Sequence, residues 1–273
     1  MTQPRSFLKD NFASMDASAL HARLAPWAQI SSALTDTTEL TTEQLARLIV
    51  AETQAPEKLS LVEHFASETQ EVAIIGGELD GEVSGQFLYA AYDDAGRITE
   101  LKSFFKYIYT FTLVREKVRT ALTDLPQQTW HITLGPPDTG EVHENPPSFP
   151  YAPDIKFGSP VMRLPITSEP LVQKVLSHAH SLYGDRLWSS DIALAQGNSR
   201  TGIFAVEVGG QPFLMANVIR TQDGAVNELV AFGRPWDASL ALYTQLKVRL
   251  SDLLSPEHFY PKQRALADYA ESS

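Results

Sequence analysis

Apolar residues recur along this chain with two periods, and each period marks out a block of elements. Phe7, Leu8 and Phe12, then Leu20 and Leu24, fall at helical spacing. That predicts one or two helices over about 6–24, with Asp16 or Ser18 as a cap for the second segment and Pro26 as its stop. Residues 27–34 read as a strand, with a short return strand over 35–39. Thr42, followed by Gln44, Leu45, Leu48 and Ile49, opens a helix to about Glu52. Strands are predicted over 59–67, 71–79, 82–92 and 97–109, with a hairpin across Asp80-Gly81. Gly76-Gly77 inside one of them marks a bulge or a close backbone approach. A basic helix over 113–122 closes the block.

From Thr133 to Pro160 the periodicity is lost. Pro136, Pro137, Pro146, Pro147, Pro150, Pro153 and Pro160 forbid a regular helix and predict an extended linker. A short hairpin over 155–166 then leads into a helix behind Ser168, with Leu171, Val172, Val175, Leu176, Ala179 and Leu182 on one stripe. Strands over 187–196, 202–208, 212–221 and 225–233 follow, then a helix over 237–253. The second block echoes the first. Gly81 meets Gly209, Gly96 meets Gly224, Ile98 meets Val226, Glu100 meets Glu228 and Phe104 meets Phe232, at a constant shift of 128 (224 − 96). Such a shift reads as an internal duplication. It predicts a first domain over 1–132, a Pro-rich linker over 133–154 and a second domain with a polar tail over 155–273.

Charge narrows the partners. A net charge of −11 argues against a nucleic-acid backbone or an anionic membrane and leaves small molecules or proteins. The absence of cysteine removes disulfides, thiolate metal sites and a cysteine nucleophile, and fits a reducing, cytoplasmic setting. The first residues carry no apolar core of signal-peptide length, and no run approaches the length of a membrane span.

The order hairpin, helix and long antiparallel meander, ending in Gly-x-x-x-Glu-Leu, resembles the SnoaL-like and ketosteroid isomerase-like superfamily, also called nuclear transport factor 2-like. Ser159-Pro-Val-Met-Arg-Leu-Pro before a helix is similar to that family's first hairpin. Val206-Glu-Val-Gly-Gly-Gln-Pro, Asp223-Gly-Ala-Val-Asn-Glu-Leu and Phe232-Gly-Arg-Pro235 are similar to its last strands and exit. The second half matches more closely, over about 155–253; the first matches over about 5–122, with more complete leading helices. The resemblance implies an α+β fold of two cone-shaped domains, each a curved antiparallel sheet packed on helices around an apolar pocket. Phe104, Val230 and Phe232 load the strand face opposite Leu101 and Leu229, and a strand apolar on both faces is covered on both. The halves are therefore expected to pair as an intramolecular pseudo-dimer, in a monomer or a higher homo-oligomer. The competing reading has these aromatics covering a helix.

Ketosteroid isomerase places an aspartate base opposite a tyrosine and a protonated aspartate in an apolar cavity. Carried over by the resemblance, the base position falls on Ser31 and Ser159 and the acid position on Leu88 and Ala216, so neither carboxylate is kept. An acidic pair repeated in each half, as in tandem epoxide-opening relatives, is not found either: Glu63 meets Asp191, but Asp36 meets Leu164. The candidates that remain lie in the first half. Glu78, aligned with the apolar Val206, would have a raised pKa if it faced the cone and could act as acid or base; otherwise it is a rim glutamate in water. His64, aligned with Ile192, either lines the first pocket or is a satisfied core or edge residue. Tyr92, Leu88, Phe105 and Ser31 complete the expected substrate-binding set. His178 and His180, two apart on a helix, point too far apart to share a metal and read as a solvated face. His131 and His143 have no partner at ligand spacing. No nucleophile elbow, phosphate loop or zinc-protease motif is present. The expected function is a cofactor-independent enzyme of isomerase, cyclase, dehydratase or hydrolase type, acting on a small apolar metabolite without a metal. The alternative is a non-catalytic ligand-binding or protein-interaction protein of the same fold. Only the first half offers polar groups for an apolar cavity, so the active site is expected in the first cone.

Overall fold

The computed structural model describes residues 5–35, 39–126, 150–183 and 193–259. The chain divides into two compact units, one of residues 1–106 and 110–130, the other of 107–109 and 131–273. In the first unit two short helices, α1 (Phe7–Asn11) and α2 (Ala17–Arg23), precede β1 (Leu24–Ser31) and helix α3 (Thr42–Gln54). The meander β2 (Glu57–Ala66), β3 (Gln70–Leu79), β4 (Glu82–Tyr92) and β5 (Ile98–Lys106) follows, and then α4 (Ile108–Ala121). Neighbouring strands of the meander pair antiparallel, and β1 lies parallel to β5. Asp16 is the cap of α2, accepting from the amide of Ala19 at 2.9 Å. Thr41 and Gln44 cap α3 reciprocally, each side chain accepting from the other's amide, which satisfies two of the amides a helix start leaves open. The return strand expected over 35–39 falls on residues 36–38, which lie outside the described residues; β1 itself pairs with β5.

Gly76 and Gly77 mark a close approach, as the sequence suggested. A Cβ on Gly77 would stand 2.9 Å from Pro56 Cβ and 3.0 Å from the Glu57 carbonyl oxygen. Strand β2, which crosses there, shifts register between Glu57 and Ser60 and again between Leu61 and Glu63, and such bulges bend a sheet. The strand expected to run to 109 stops at Lys106, because Tyr107 takes a left-handed backbone (φ 68°) and the chain turns into α4.

The second unit contains β6 (Tyr151–Gly158), α5 (Glu169–Ser181), β7 (Ala193–Gln196), β8 (Ser199–Val208), β9 (Gln211–Gln222), β10 (Ala225–Arg234), α6 (Trp236–Arg249) and a 3-10 turn at Pro256–His258. Strands β7 to β10 form an antiparallel meander, and β6 lies parallel to β10. Strand β6 thus begins within the stretch read as linker. The second unit repeats the first unit's order from β1 to the last strand, and among the described residues no helix precedes β6. Both units are α+β, with an antiparallel sheet packed on helices. Asp36, His131, His143, Asp191 and Ile192 lie outside the described residues. No helix among the described residues is long and apolar enough to cross a membrane.

Candidate functional site

The residues expected to act in the first unit do not converge on one cavity. Leu88 pairs with Ala73 and Ser103, while Glu78 pairs with Val83 one residue out of step, so Glu78 lies on the opposite face from Ala73 and Ile75. Its side chain is 44 % exposed and its carboxylate meets the Lys58 ammonium at 2.5 Å. Glu78 is thus a surface ion-pair residue and not an inward-facing carboxylate. Ser31 is half-buried opposite Lys102 at the end of β1. Leu88 is a fully buried member of the core, and Phe105 is fully buried and stacked on Phe111 (centroids 4.9 Å apart).

His64 and Tyr92 do meet, but around a residue the sequence reading passed over. His64 Nε2 lies 3.0 Å from Glu71 Oε1, and the Tyr92 hydroxyl donates to Glu71 Oε2 at 2.6 Å. The backbone amides of Leu8 and Lys9, in the first turn of α1, donate to the same carboxylate at 3.0 Å each. Burial alone would push the Glu71 carboxyl up. The four donors outweigh it and hold the group below the ordinary carboxylate value. Burial, and then the adjacent Glu71 charge, raise the Tyr92 hydroxyl well above its usual range. A carboxylate with this many donors has little capacity left for a substrate, and it docks α1 onto the sheet.

A second buried acid lies deeper. Glu52, on α3, is fully buried and accepts from Ser32 Oγ, from Ser103 Oγ at 2.5 Å and from the Leu34 amide at 3.2 Å. With no cation beside it among the described residues, desolvation prevails over these hydrogen bonds and its pKa is raised. The signal was in the helical stripe: Glu52 falls seven residues after Leu45, in line with Leu48 and Ile49.

The strand registers revise how the two halves correspond. Helices α3 and α5 have the same length and their starts differ by 127 (169 − 42). Strands β1 and β6 agree with that shift, since Ile30 faces Leu101 as Phe157 faces Leu229. The hairpin turns Asp80-Gly81 and Gly209-Gly210 both have positive φ at each residue, so the β3–β4 hairpin maps onto β8–β9 with a shift of 129 (210 − 81). The sequence comparison had matched Gly81 to Gly209. Its constant shift of 128 holds from Gly96 onward. The reason is one extra residue in the β4–β5 turn. Asp93 and Arg97 close that turn around three residues, whereas Gln222 and Ala225 close theirs around Asp223-Gly224. A one-residue change of register exchanges faces. The counterpart of Glu78 is therefore Glu207, not Val206; that of Leu88 is Asn217, not Ala216; and that of Ser159 is Ser32, not Ser31. Ser32 and Ser159 make the same local bond, each accepting from the amide two residues on (3.0 and 3.2 Å).

With these equivalences the second unit shows a cavity of about 390 Å³, within the range of small-molecule sites. Strands β8, β9 and β10, helices α5 and α6, and Ser159 and Pro160 line it. In the first unit the same region is occupied by the core formed by Leu8, Met15 and Leu20 from the leading helices with Ala73, Leu88 and Leu101. In the second unit Ala179 stands where α3 has Glu52, Ala231 where β5 has Ser103, Gly202 where β3 has Ala73, and Asn217 where β4 has Leu88. All four line the cavity. Most of the wall is apolar: Phe157, Phe204, Val206, Met215, Leu229, Leu242. The polar groups are few. Ser159 is buried; Asn217 presents a buried amide oxygen without a hydrogen-bond partner among the described residues; His180 has its ring centroid 5.6 Å from that of Tyr183, whose hydroxyl donates to Met215 Sδ. This cavity thus lies in the second unit, whereas the active site was expected in the first; there the leading segment contributes Leu8, Met15 and Leu20 to the core. Neither His178 nor His180 belongs to a group of three metal-capable side chains among the described residues.

No family model matches this sequence, and no curated protein matches it. Among solved structures, a steroid delta-isomerase from Pseudomonas aeruginosa is 26 % identical over 37 % of this chain and 75 % of its own, with a TM-score of 0.35. An uncharacterised bacterial protein with a cystatin-like fold from Silicibacter pomeroyi is 18 % identical over 44 % and 78 %, with a TM-score of 0.35. A protein from Catenulispora acidiphila with a ketosteroid isomerase-like fold, in complex with trimethylamine, is 13 % identical over 34 % and 76 %, with a TM-score of 0.29. The neighbours of this chain are therefore steroid delta-isomerase and proteins of ketosteroid isomerase-like and cystatin-like fold, each over less than half of the chain, and these are the group its sequence patterns resemble.

Proposed function

We propose that this protein takes up a small, largely apolar molecule in the cavity of its second unit and carries out cofactor-independent proton transfer there, of isomerase, cyclase or dehydratase type. One observation carries the reading: an apolar cavity of about 390 Å³ whose few polar groups include the two positions the resemblance assigns to catalysis, Ser159 and, with the register corrected, Asn217. Asn217 would hydrogen-bond a carbonyl oxygen through its amide, and its charge-stabilising role would be strongest where water is excluded. His180 would carry the proton, being the lining residue whose ordinary pKa lies near neutrality. The test is deuterium uptake next to the carbonyl of an apolar cyclic ketone such as 1-decalone, followed by NMR in heavy water alongside a calorimetric binding isotherm. Binding with uptake that disappears in His180→Gln is the expected result. Uptake unchanged in that variant sinks the role of His180, and absence of binding sinks the cavity reading.

The second reading, binding without chemistry, draws on one feature: no aspartate or glutamate is among the described lining residues. Binding of the ketone without deuterium uptake is its signature. The proposal includes the arrangement expected from the doubly apolar strands, two tandem SnoaL-like units paired as an intramolecular pseudo-dimer. Phe232→Asp places an unpaired charge at a fully buried side chain and should cost on the order of several kcal/mol. A wild-type melting curve for that variant would end the pairing idea.

A further inference from the structure

We infer that the ligand of the second-unit cavity is an amphipathic anion, an apolar body carrying one carboxylate, and that Arg200 reads its charged end. The inference rests on the reading of this cavity as a ligand site and adds the substrate class. Along β8 the inward row runs Val206, Phe204, Gly202, Arg200, from buried to exposed, and the facing row on β9 runs Phe213, Met215, Asn217, Ile219. The cavity is thus apolar at one end and ends in a guanidinium at the other. Arg200 is the one Arg or Lys among the described lining residues, and no carboxylate lines the cavity with it. In a chain of net charge −11, a cavity whose fixed charge is a single cation is selective for anions.

The neighbouring charges are accounted for elsewhere. Arg220, one strand over, is ion-paired with Glu228, and both lie one residue out of step with the inward row. Among the described residues Arg200 makes no ion pair or side-chain hydrogen bond, and it is exposed. The first unit shows what this strand position can do. By the shift of 129 the counterpart of Arg200 is Glu71, and that carboxylate receives the amides of the first turn of α1. At the same place the second unit has no described helix and the opposite charge. A position that binds its own chain's positive groups in one unit is built in the other to bind a negative group from outside. A planar guanidinium suits a carboxylate in particular, since it can donate two parallel hydrogen bonds.

The experiment uses the full chain and two probes matched in apolar length, decanoate and decanol, titrated by calorimetry at low and moderate salt. Wild type should bind decanoate at least about tenfold more tightly than decanol, with the difference shrinking as salt rises. In Arg200→Met the two probes should bind alike, at the decanol level. Ala179→Phe, which fills the cavity wall, should weaken both. Equal binding of the two probes by wild type, or an unchanged preference for decanoate in Arg200→Met, overturns the anion assignment while leaving the cavity as a ligand site. No binding of either probe overturns the cavity reading and this inference with it. Because Arg200 is exposed, its variant should melt as wild type does, so a loss of preference cannot be laid to misfolding. Decyl phosphate and decyl sulfate serve as a last arm: binding tighter than decanoate would replace carboxylate with phosphate or sulfate as the headgroup and overturn the carboxylate assignment.

Discussion

Glu52 is the sharpest test of the physical account of the first unit. Its carboxyl is fully buried, takes hydrogen bonds from Ser32, Ser103 and the Leu34 amide, and has no cation beside it among the described residues. Glu52→Leu leaves the Ser32 and Ser103 hydroxyls without their acceptor. The Leu34 amide is spared, because it also donates to Ser32 Oγ at 3.0 Å. Loss of these two buried hydrogen bonds, at about 0.5–1.5 kcal/mol each, should cost the variant about 1–3 kcal/mol. Glu52→Gln keeps the volume and most of the bonding and should lose about 1 kcal/mol near pH 4. The pH dependence then separates the two states of the acid. The folded pKa is raised above the ordinary 4.5, so the contribution of this group is fully present below 4.5 and is lost as pH rises through the folded value. Glutamine has no such loss. Over that window the stability of Glu52→Gln should rise relative to wild type, by up to about 1.4 kcal/mol per pH unit. Urea unfolding at intervals between pH 4 and 8 measures it. A difference between the two proteins that stays flat across this range would show that Glu52 is charged in the fold, and the desolvation argument would be wrong.

Glu71 should behave with the opposite sign, since its folded pKa is lowered: its contribution is present above 4.5 and lost as pH falls through the folded value. Tyr92→Phe removes one donor from that buried carboxylate and should cost about 1.5–3 kcal/mol in urea unfolding while leaving ligand binding unchanged; lost binding at wild-type stability would restore Tyr92 to the site. Gly77→Ala forces a methyl to 2.9 Å from Pro56 and 3.0 Å from the Glu57 carbonyl and should cost about 1–3 kcal/mol, and a neutral result would mean that β2 yields freely. Asn217→Leu puts into the second unit the residue that the first has at that place. It should raise the melting temperature and abolish deuterium uptake on the ketone, and a destabilised variant would argue that the amide is satisfied by the fold.

Much of the architecture was legible because it is written in periods and turns. The stripe of α5 and the glycines at 81, 96 and 224 each state their own element. The site was less legible for a geometric reason. In a strand the side-chain period is two, so a turn one residue longer, Asp94-Ala95-Gly96 against Asp223-Gly224, exchanges the inner and outer rows upstream of it. That single residue turned Glu78 into a candidate and hid Asn217. Glu71 was hidden for another reason. Its donors come from α1, more than sixty residues earlier, and no local pattern announces a long-range cap. Tyr92 and His64 were chosen for their chemistry, and they do cluster, but a carboxylate that nothing in the local sequence distinguished is what joins them.

The two units spend similar sequences on opposite ends. An interior of about 390 Å³ costs the second unit the close packing that a filled core supplies. The first unit avoids that cost: Leu8, Met15 and Leu20 fill the same region, and Glu52 with its two serines closes the base. In the second unit four changes at equivalent positions go toward space or polarity, Ala179 for Glu52, Ala231 for Ser103, Gly202 for Ala73 and Asn217 for Leu88. Phe157, Phe204 and Met215 make an apolar wall around a single amide. A wall of that kind is stable only when something fills it, whether ordered water at Ser159 and Asn217 or an apolar molecule along the rest.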